Sequence, residues 1–142
     1  MTSTEAIIQT NELTKIYGNG HQVRALDGVT MTVQRGERVA VMGPSGCGKS
    51  TLLHMLGALD RPTSGTVRVA GQDLAAVRDV DRFRSRTVGF VFQMHNLIPT
   101  LTSLENVEIP MRAQATRASQ RHDRARDLLA EVGLEGREGH FP

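Results

Sequence analysis

The stretch "GPSGCGKS", residues 43–50, concentrates the residue types that can hold a polyphosphate. It fits G-x-x-x-x-G-K-[ST], with Gly43 and Gly48 as the fixed glycines and Lys49-Ser50 closing it. Glycines let the backbone curl so that several N–H groups face one point, and a following helix directs its positive end there. Lys49 supplies a mobile cation for β- and γ-phosphate oxygens. Ser50 offers a hydroxyl to Mg²⁺, an ion that binds through one or two protein oxygens plus phosphates. The bland alternative is a glycine turn that binds nothing. Cys47, inside the loop, is either a small filler or a thiol made reactive by the helix end.

The motif needs a strand before it and a helix after it, and the sequence offers both. "RVAVM" (Arg38–Met42) is a short apolar run consistent with a buried strand. "KSTLLHMLGAL" reads as a helix with Leu52, Leu53 and Leu56 on one face. Upstream, Ala6–Leu13 reads as a strand running into a turn-rich loop, "TKIYGNG". Val23–Leu26 and Val29–Val33 follow as strands, and "RGE" turns the chain into Arg38. Downstream, "DRPTSG" breaks the helix and "TVRVAG" forms another strand. Leu74, Val77, Val80 and Phe83 recur every three residues and predict a surface helix from Leu74 to about Arg86. "TVGFVFQ" (Thr87–Gln93) is a second buried-strand candidate. Thr102 and Glu105 make a capping box opening a helix that Pro110 disturbs. Ser119–Val132 is the clearest amphipathic helix, with Ala125, Leu128, Leu129 and Val132 on one face and Gly133 as its stop.

The totals limit the choices. The 142 residues make one domain or part of one, and 39% hydrophobic with 23% charged residues is ordinary for a soluble protein. A net charge of +2 is too weak to imply nucleic acid. Cys47 is the only cysteine, which rules out an internal disulfide and favours a reducing, cytoplasmic setting. "MTSTEAIIQTNELTK" lacks a secretory pattern, and no apolar run reaches the ~18 residues of a spanning helix. The five histidines, His21, His54, His95, His122 and His140, are too widely spaced to suggest a metal cluster.

Three further stretches add a family resemblance. The segment from "LTKIYGNG" through "GQDL" (Leu13–Leu74) resembles the opening of the ATP-binding subunit of ABC transporters, and "TVGFVFQMHNLIPTLTSLENVEIP" resembles that family's Q-loop region. The combination is similar in particular to the ATPases paired with lipoprotein-release, macrolide-export and FtsX-like permeases. The resemblance implies an α/β P-loop NTPase of the ABC ATPase type: an N-terminal antiparallel β region, a RecA-like core and the start of a helical subdomain, incomplete at the C-terminus. It implies ATP and Mg²⁺ as ligands. Tyr17 would be the A-loop aromatic stacking on adenine, with an ordinary half-buried loop tyrosine as the alternative. Val23 would pack near ribose and adenine, though a plain strand valine explains it equally well. Gly43, Pro44, Ser45, Gly46, Cys47, Gly48, Lys49, Ser50 and Thr51 would form the phosphate loop. Lys49 and Gln93 would be the catalytic pair. Gln93, at the end of a buried strand, would reach Mg²⁺ and the attacking water beside Ser50, although a glutamine there also suits a plain loop.

Met94, Leu97, Ile98 and Leu101 form a loose apolar group. By default such a group folds inward; in the family this surface meets a permease coupling helix. The resemblance further implies a homodimer of ATPase subunits in the complete form. It also implies a cytoplasmic location, on the inner face of the plasma membrane through the permease. Three family parts are not found in the sequence. No apolar strand ends in the Asp-Glu of the Walker B motif that supplies a magnesium contact and the general base, since "DLLAE" belongs to an amphipathic helix. The L-S-G-G-Q signature and the switch histidine are also missing. The expectation is therefore a truncated form that binds Mg-ATP, hydrolyses it poorly or not at all, and leaves an apolar sheet edge unpaired. A non-hydrolytic ATP-binding module is the alternative. A small P-loop kinase is a weaker one, because no acceptor site or lid-arginine pattern accompanies the loop.

Overall fold

The computed structural model describes residues 5–94, 96–113 and 117–142, so His95 and the first four residues of the amino-terminal stretch lie outside it. The chain divides into two compact units, Met1–Val80 and Asp81–Pro142.

The first unit is built around strand β1 (Ala6–Tyr17), which pairs antiparallel on one side with β2 (Val23–Gln34) and on the other with β3 (Ser64–Val69). A two-residue strand, β4 (Gln72–Asp73), adds to β3 and completes the sheet order β2-β1-β3-β4. Because β1 is central, Leu13 is fully buried, in a core with Leu26, Val33, Val67 and Val69. Thr10 is the one buried polar residue among those described, and both of its bonds are made. Its Oγ1 donates to the Val29 carbonyl at 2.9 Å and accepts from the Met31 amide at 3.1 Å, which removes the cost of burying a hydroxyl.

Both strand expectations in this region are extended by the fold. β1 does not stop at Leu13 but runs to Tyr17, because the Ile16 amide finds the Thr63 hydroxyl at 3.0 Å and Tyr17 pairs with Val23. Tyr17 is therefore held at a strand end, not in a loop. Val23–Leu26 and Val29–Val33 are one strand, and the Gly28 amide between them donates to Thr14 Oγ1 at 3.1 Å.

Helix α1 (Lys49–Leu56) packs on β2 and β3 through Leu52 and Met55. The expected face of Leu52, Leu53 and Leu56 is corrected: Met55 is 1% exposed, whereas Leu53 is 54% exposed and points away. Leu52 and Met55 are three residues apart and share one side of the helix, which Leu53 does not. Arg38–Met42 was expected as a buried strand and is not one. No strand of the described sheet pairs with it, and Val39, Val41 and Met42 are exposed. An apolar run becomes a strand only where another backbone accepts its N–H and C=O groups.

The helix expected over Leu74–Arg86 is shorter, α2 (Val80–Thr87), with Phe83 buried. Leu74 instead opens the turn after β4, its amide donating to the Val67 carbonyl of β3 at 2.9 Å. The Ala75 amide then meets Asp73 Oδ1 at 2.9 Å, so a side-chain-capped turn replaces the first helical turn.

In the second unit, Thr87 closes α2 and 88–92 form no strand, against expectation. Phe90 and Phe92 stack on each other with centroids 5.5 Å apart, while Val91 between them is fully exposed. Alternation thus survives without sheet partners. The capping box is present: Glu105 N–H donates to Thr102 Oγ1 at 3.3 Å, and Thr102 N–H to Glu105 Oε2 at 2.8 Å, opening α3 (Ser103–Glu108). At Pro110 the helix tightens into a 3₁₀ turn, Ile109–Ala113. Helix α4 (Ala118–Glu131) buries Ala125 and Leu129, as its periodicity predicts. Val132 falls outside it and is exposed, because Gly133 at φ +75° ends the helix and the Leu134 amide reaches back to the Leu129 carbonyl at 2.9 Å. Glu108 of α3 and His122 of α4 join the two helices at 2.9 Å.

The face of α1 is open to a direct test. Met55→Ala should cost about 2–5 kcal/mol of stability, while Leu53→Ala should fall within about 0.5 kcal/mol of the parent. Urea denaturation midpoints of the two variants check this.

Candidate functional site

The residues between β2 and α1 form an open cavity of about 200 Å³, lined by Val23, Arg24, Ala25, Gly46, Gly48, Lys49, Ser50 and Thr51. Gly48 is the residue on which this geometry turns. It is the N-cap of α1 in a left-handed conformation, φ +91°, and a Cβ there would run into the Ala25 carbonyl oxygen. Only glycine lets the loop cross β2 this closely. Gly48 also offers no side-chain cap, so the first-turn N–H groups of α1 have no side chain of that residue to satisfy them. The cavity thus meets the positive end of a helix dipole.

Lys49 is bound by its own loop. Its Nζ donates to the carbonyl oxygens of Gly43 at 2.8 Å and Pro44 at 2.7 Å, with Cys47 Sγ at 3.7 Å. These acceptors hold the ammonium at the loop in the way that phosphate oxygens could replace. Cys47 is exposed, and its sulfur occupies the space a Cβ on Gly43 would need, at 2.6 Å.

Of the expected residues, the structure brings Val23, Gly46, Gly48, Lys49, Ser50 and Thr51 to one cavity. Gly43, Pro44, Ser45 and Cys47 form the exposed outer arc of the loop and do not line it. Tyr17 does not line it either, but pairs with Val23, which does. Gln93 lies in the second unit, exposed at a bend and not at the end of a buried strand. Met94, Leu97 and Ile98 are exposed, so the inward-folded default does not hold for them, while Leu101 is half-buried.

Arg24 and Ala25 were not anticipated in the lining; their only signal was adjacency to Val23. Lys15 and Asp60 were also missed. Tyr17 OH donates to Asp60 Oδ2 at 2.9 Å, and Lys15 Nζ donates to Asp60 Oδ1 at 2.8 Å while sitting 4.8 Å above the centre of the tyrosine ring. The spacing of Lys15 and Tyr17, two apart on a strand, was a legible signal that they share a face. Asp60 is 43 residues from Tyr17 and left none.

Burial and the Asp60 carboxylate push the Tyr17 phenol above its ordinary value, against smaller opposing effects of Thr51 and Lys15. Burial alone would raise the Asp60 carboxyl, but the bonds from Lys15, the Arg61 amide and Tyr17, with the Lys15 charge, outweigh it and hold it below its ordinary value.

A family model described as "ABC transporter" matches residues 26–141. The chain belongs to the ABC transporter family. Among its relatives, the lipoprotein-releasing system ATP-binding protein LolD of Geobacter metallireducens is 46% identical over 140 residues, spanning 96% of this chain and 62% of that protein. The macrolide export ATP-binding/permease protein MacB of Hyphomonas neptunium is 44% identical, over 98% of this chain and 22% of that protein. A solved structure, described as the dimeric post-hydrolysis state of the ATP-binding cassette MJ0796 bound to ADP and Pi, superposes with a TM-score of 0.83 at 38% identity. That match covers 95% of this chain and 61% of the other. The fold is accordingly that of the ABC ATPase cassette, with the antiparallel β region of the first unit preceding helices. The chain spans about three-fifths of the length of LolD and of the MJ0796 cassette.

Because the folded Asp60 value is depressed, its ties contribute stability that is present above the unfolded value of 3.8 and is lost as pH falls through the folded value. The thermal midpoint of an Asp60→Asn chain should therefore depend less steeply on pH than the parent's below about pH 4. Parallel melts across that range check the slope.

Proposed function

We propose that this chain is the ATP-binding part of an ABC transporter ATPase, holding Mg-ATP at the loop of residues 43–51. The observation that carries the reading is the site of Lys49. The Lys49 ammonium, bonded to loop oxygens and a sulfur, stands at a helix start without a side-chain cap, beside a cavity where a side chain on Gly48 would run into the Ala25 carbonyl. In this reading Lys49 exchanges the Gly43 and Pro44 carbonyls for β- and γ-phosphate oxygens. The amides from Gly46 to Thr51 donate to the phosphates, with Gly43, Pro44, Ser45 and Cys47 forming the outer arc. Val23 packs against the ribose, and Tyr17 stacks on the adenine.

The donor set of the cavity fits Mg²⁺, because Ser50 would hold the ion through its hydroxyl oxygen, a hard donor that suits it. When bound, Mg²⁺ neutralises charge between the phosphates. By family resemblance Gln93 would act toward the ion and the attacking water. None of the cavity-lining residues is a carboxylate, so a water-activating acid is not among them. The 142 residues on their own should bind ATP and turn it over poorly.

The wider role follows from the family and is proposed with it. The ATPase couples ATP binding and hydrolysis to transport by a membrane permease, from the cytoplasmic face, and acts as a homodimer. Met94, Leu97, Ile98 and Leu101 are the proposed permease contact; the exposure of the first three supports this. No helix among the described residues is long and apolar enough to cross a membrane.

Isothermal titration with Mg-ATP tests the binding reading: the parent chain should bind and Lys49→Ala should lose at least about tenfold in affinity, about 1.4 kcal/mol. Equal affinity in the two chains would defeat it. ATP turnover well above the Lys49→Ala control would overturn the poor-hydrolysis part. Alkylation of Cys47, measured by mass spectrometry, should slow when Mg-ATP is present, since its sulfur touches the same ammonium.

A further inference from the structure

Tyr17, the proposed adenine platform, is held mainly by residues outside the phosphate loop, with a smaller side-chain bond to Thr51 of the loop. Asp60 follows α1 and accepts from three donors: Tyr17 OH at 2.9 Å, Lys15 Nζ at 2.8 Å and the Arg61 amide at 2.6 Å. Both carboxylate oxygens are engaged. Lys15 Nζ also donates to the Arg61 carbonyl at 2.7 Å and covers one face of the Tyr17 ring. Backbone contacts keep the two segments in register, with the Thr63 amide donating to the Thr14 carbonyl at 2.9 Å and the Ile16 amide to Thr63 Oγ1 at 3.0 Å. The Lys15 side chain is 13% exposed and that of Asp60 33%, so this is a half-sheltered assembly and not a pair of free surface charges.

A phenol ring has two faces and a rotation about its bond to Cβ. The Asp60 bond fixes the far end of the ring, and the Lys15 ammonium takes one face. One face is left for an aromatic ligand, on a ring whose rotation is already restricted. We propose that Asp60 and Lys15 are positioning residues that clamp Tyr17 in the plane required to stack on the adenine of ATP, so that adenine affinity depends on two side chains that touch no nucleotide. The inference rests on the ATP-binding reading above and adds the source of its base recognition. Pre-ordering the ring lowers the entropy lost when the base stacks. It also couples the segment after α1 to the base, because Asp60 leaves that helix only three residues after its last turn closes at Gly57.

The chain contains one tyrosine and no tryptophan, so its intrinsic emission reports on Tyr17 alone. The test compares the parent chain with Asp60→Ala, Asp60→Asn and Lys15→Met, using Mg-ATP and Mg-tripolyphosphate as ligands. A carboxylate that accepts the phenol's hydrogen bond quenches its emission, so Tyr17 should brighten in Asp60→Ala without ligand. Asp60→Ala should then lose about five- to tenfold in ATP affinity, part of what a base-on-aromatic stack contributes, while tripolyphosphate affinity stays within about twofold. Asp60→Asn keeps one oxygen for Lys15 and the Arg61 amide and turns an amide N–H toward the phenol oxygen in place of Oδ2, so it should recover part of the loss, which also guards against an alanine variant that misfolds. Lys15→Met should fall between them.

An unchanged ratio of ATP to tripolyphosphate affinity in folded Asp60→Ala and Lys15→Met chains overturns the clamp while leaving the binding reading intact. Equal loss of both ligands, with no rescue by Asp60→Asn, shows only structural damage and also overturns it. A parent chain that binds tripolyphosphate but not ATP any more tightly removes the platform itself. A parent chain that binds neither ligand overturns the ATP-binding reading and the clamp with it.

Discussion

Burial of Leu52 and Met55 against β2 and β3 decides where α1 starts, and the candidate site depends on that position. Two side chains on one side of an eight-residue helix orient it against a sheet whose core is closed around the buried Leu13 and Val67. Once α1 is seated, its N-terminal end can only be reached by a chain passing over β2 near Ala25. Gly48 is the residue that makes that passage, and its missing side chain is what allows it. The cavity lies where this crossing leaves room, between the helix start and Val23–Ala25. A packing contact on the buried side of the helix thereby sets the geometry of a polar site at its end.

Electrostatics then divides the labour between two lysines. Lys49 is held by neutral carbonyl oxygens, partners that can be exchanged for phosphate without stranding a buried charge. Lys15 is held by a carboxylate and a carbonyl and covers an aromatic ring, so it is committed to structure. On the proposed reading the same residue type serves a mobile role at Lys49, while at Lys15 it is fixed. What separates them is the charge of the acceptor, since an ion pair is costly to dissolve when its partner would be left uncompensated. The depressed Asp60 carboxyl is the thermodynamic trace of that commitment.

Several elements were legible because their signals are local. The Thr102–Glu105 capping box needs only four residues, and it appears as read. The helix before Gly133 is set by apolar spacing and a glycine stop, both short-range, and its bounds differ from the expected Ser119–Val132 by only one residue at each end. Elements whose form depends on a distant backbone were misread. Arg38–Met42 and Thr87–Gln93 have the apolar composition of buried strands, yet no strand of the described sheet pairs with either. Leu74 fits a helical period but its amide is taken by Val67, and the helix begins six residues later. In each case the residue pattern describes a preference, and hydrogen-bond partners decide whether it is met.

The sequence by itself determined the loop chemistry, because the glycines, the lysine and the hydroxyls of residues 43–51 are contiguous and act through their own backbone and side chains. It also determined membership in the ABC transporter family, since that rests on ordered motifs over most of the chain. Tertiary structure alone decided that Met55 and not Leu53 faces the sheet, that Arg24 and Ala25 complete the cavity, and that Asp60 meets Tyr17 across 43 positions. The physical reason is that backbone preference and phosphate affinity are carried by neighbouring residues. Burial, close approach and long-range hydrogen bonds exist only after the sheet has brought separate segments together.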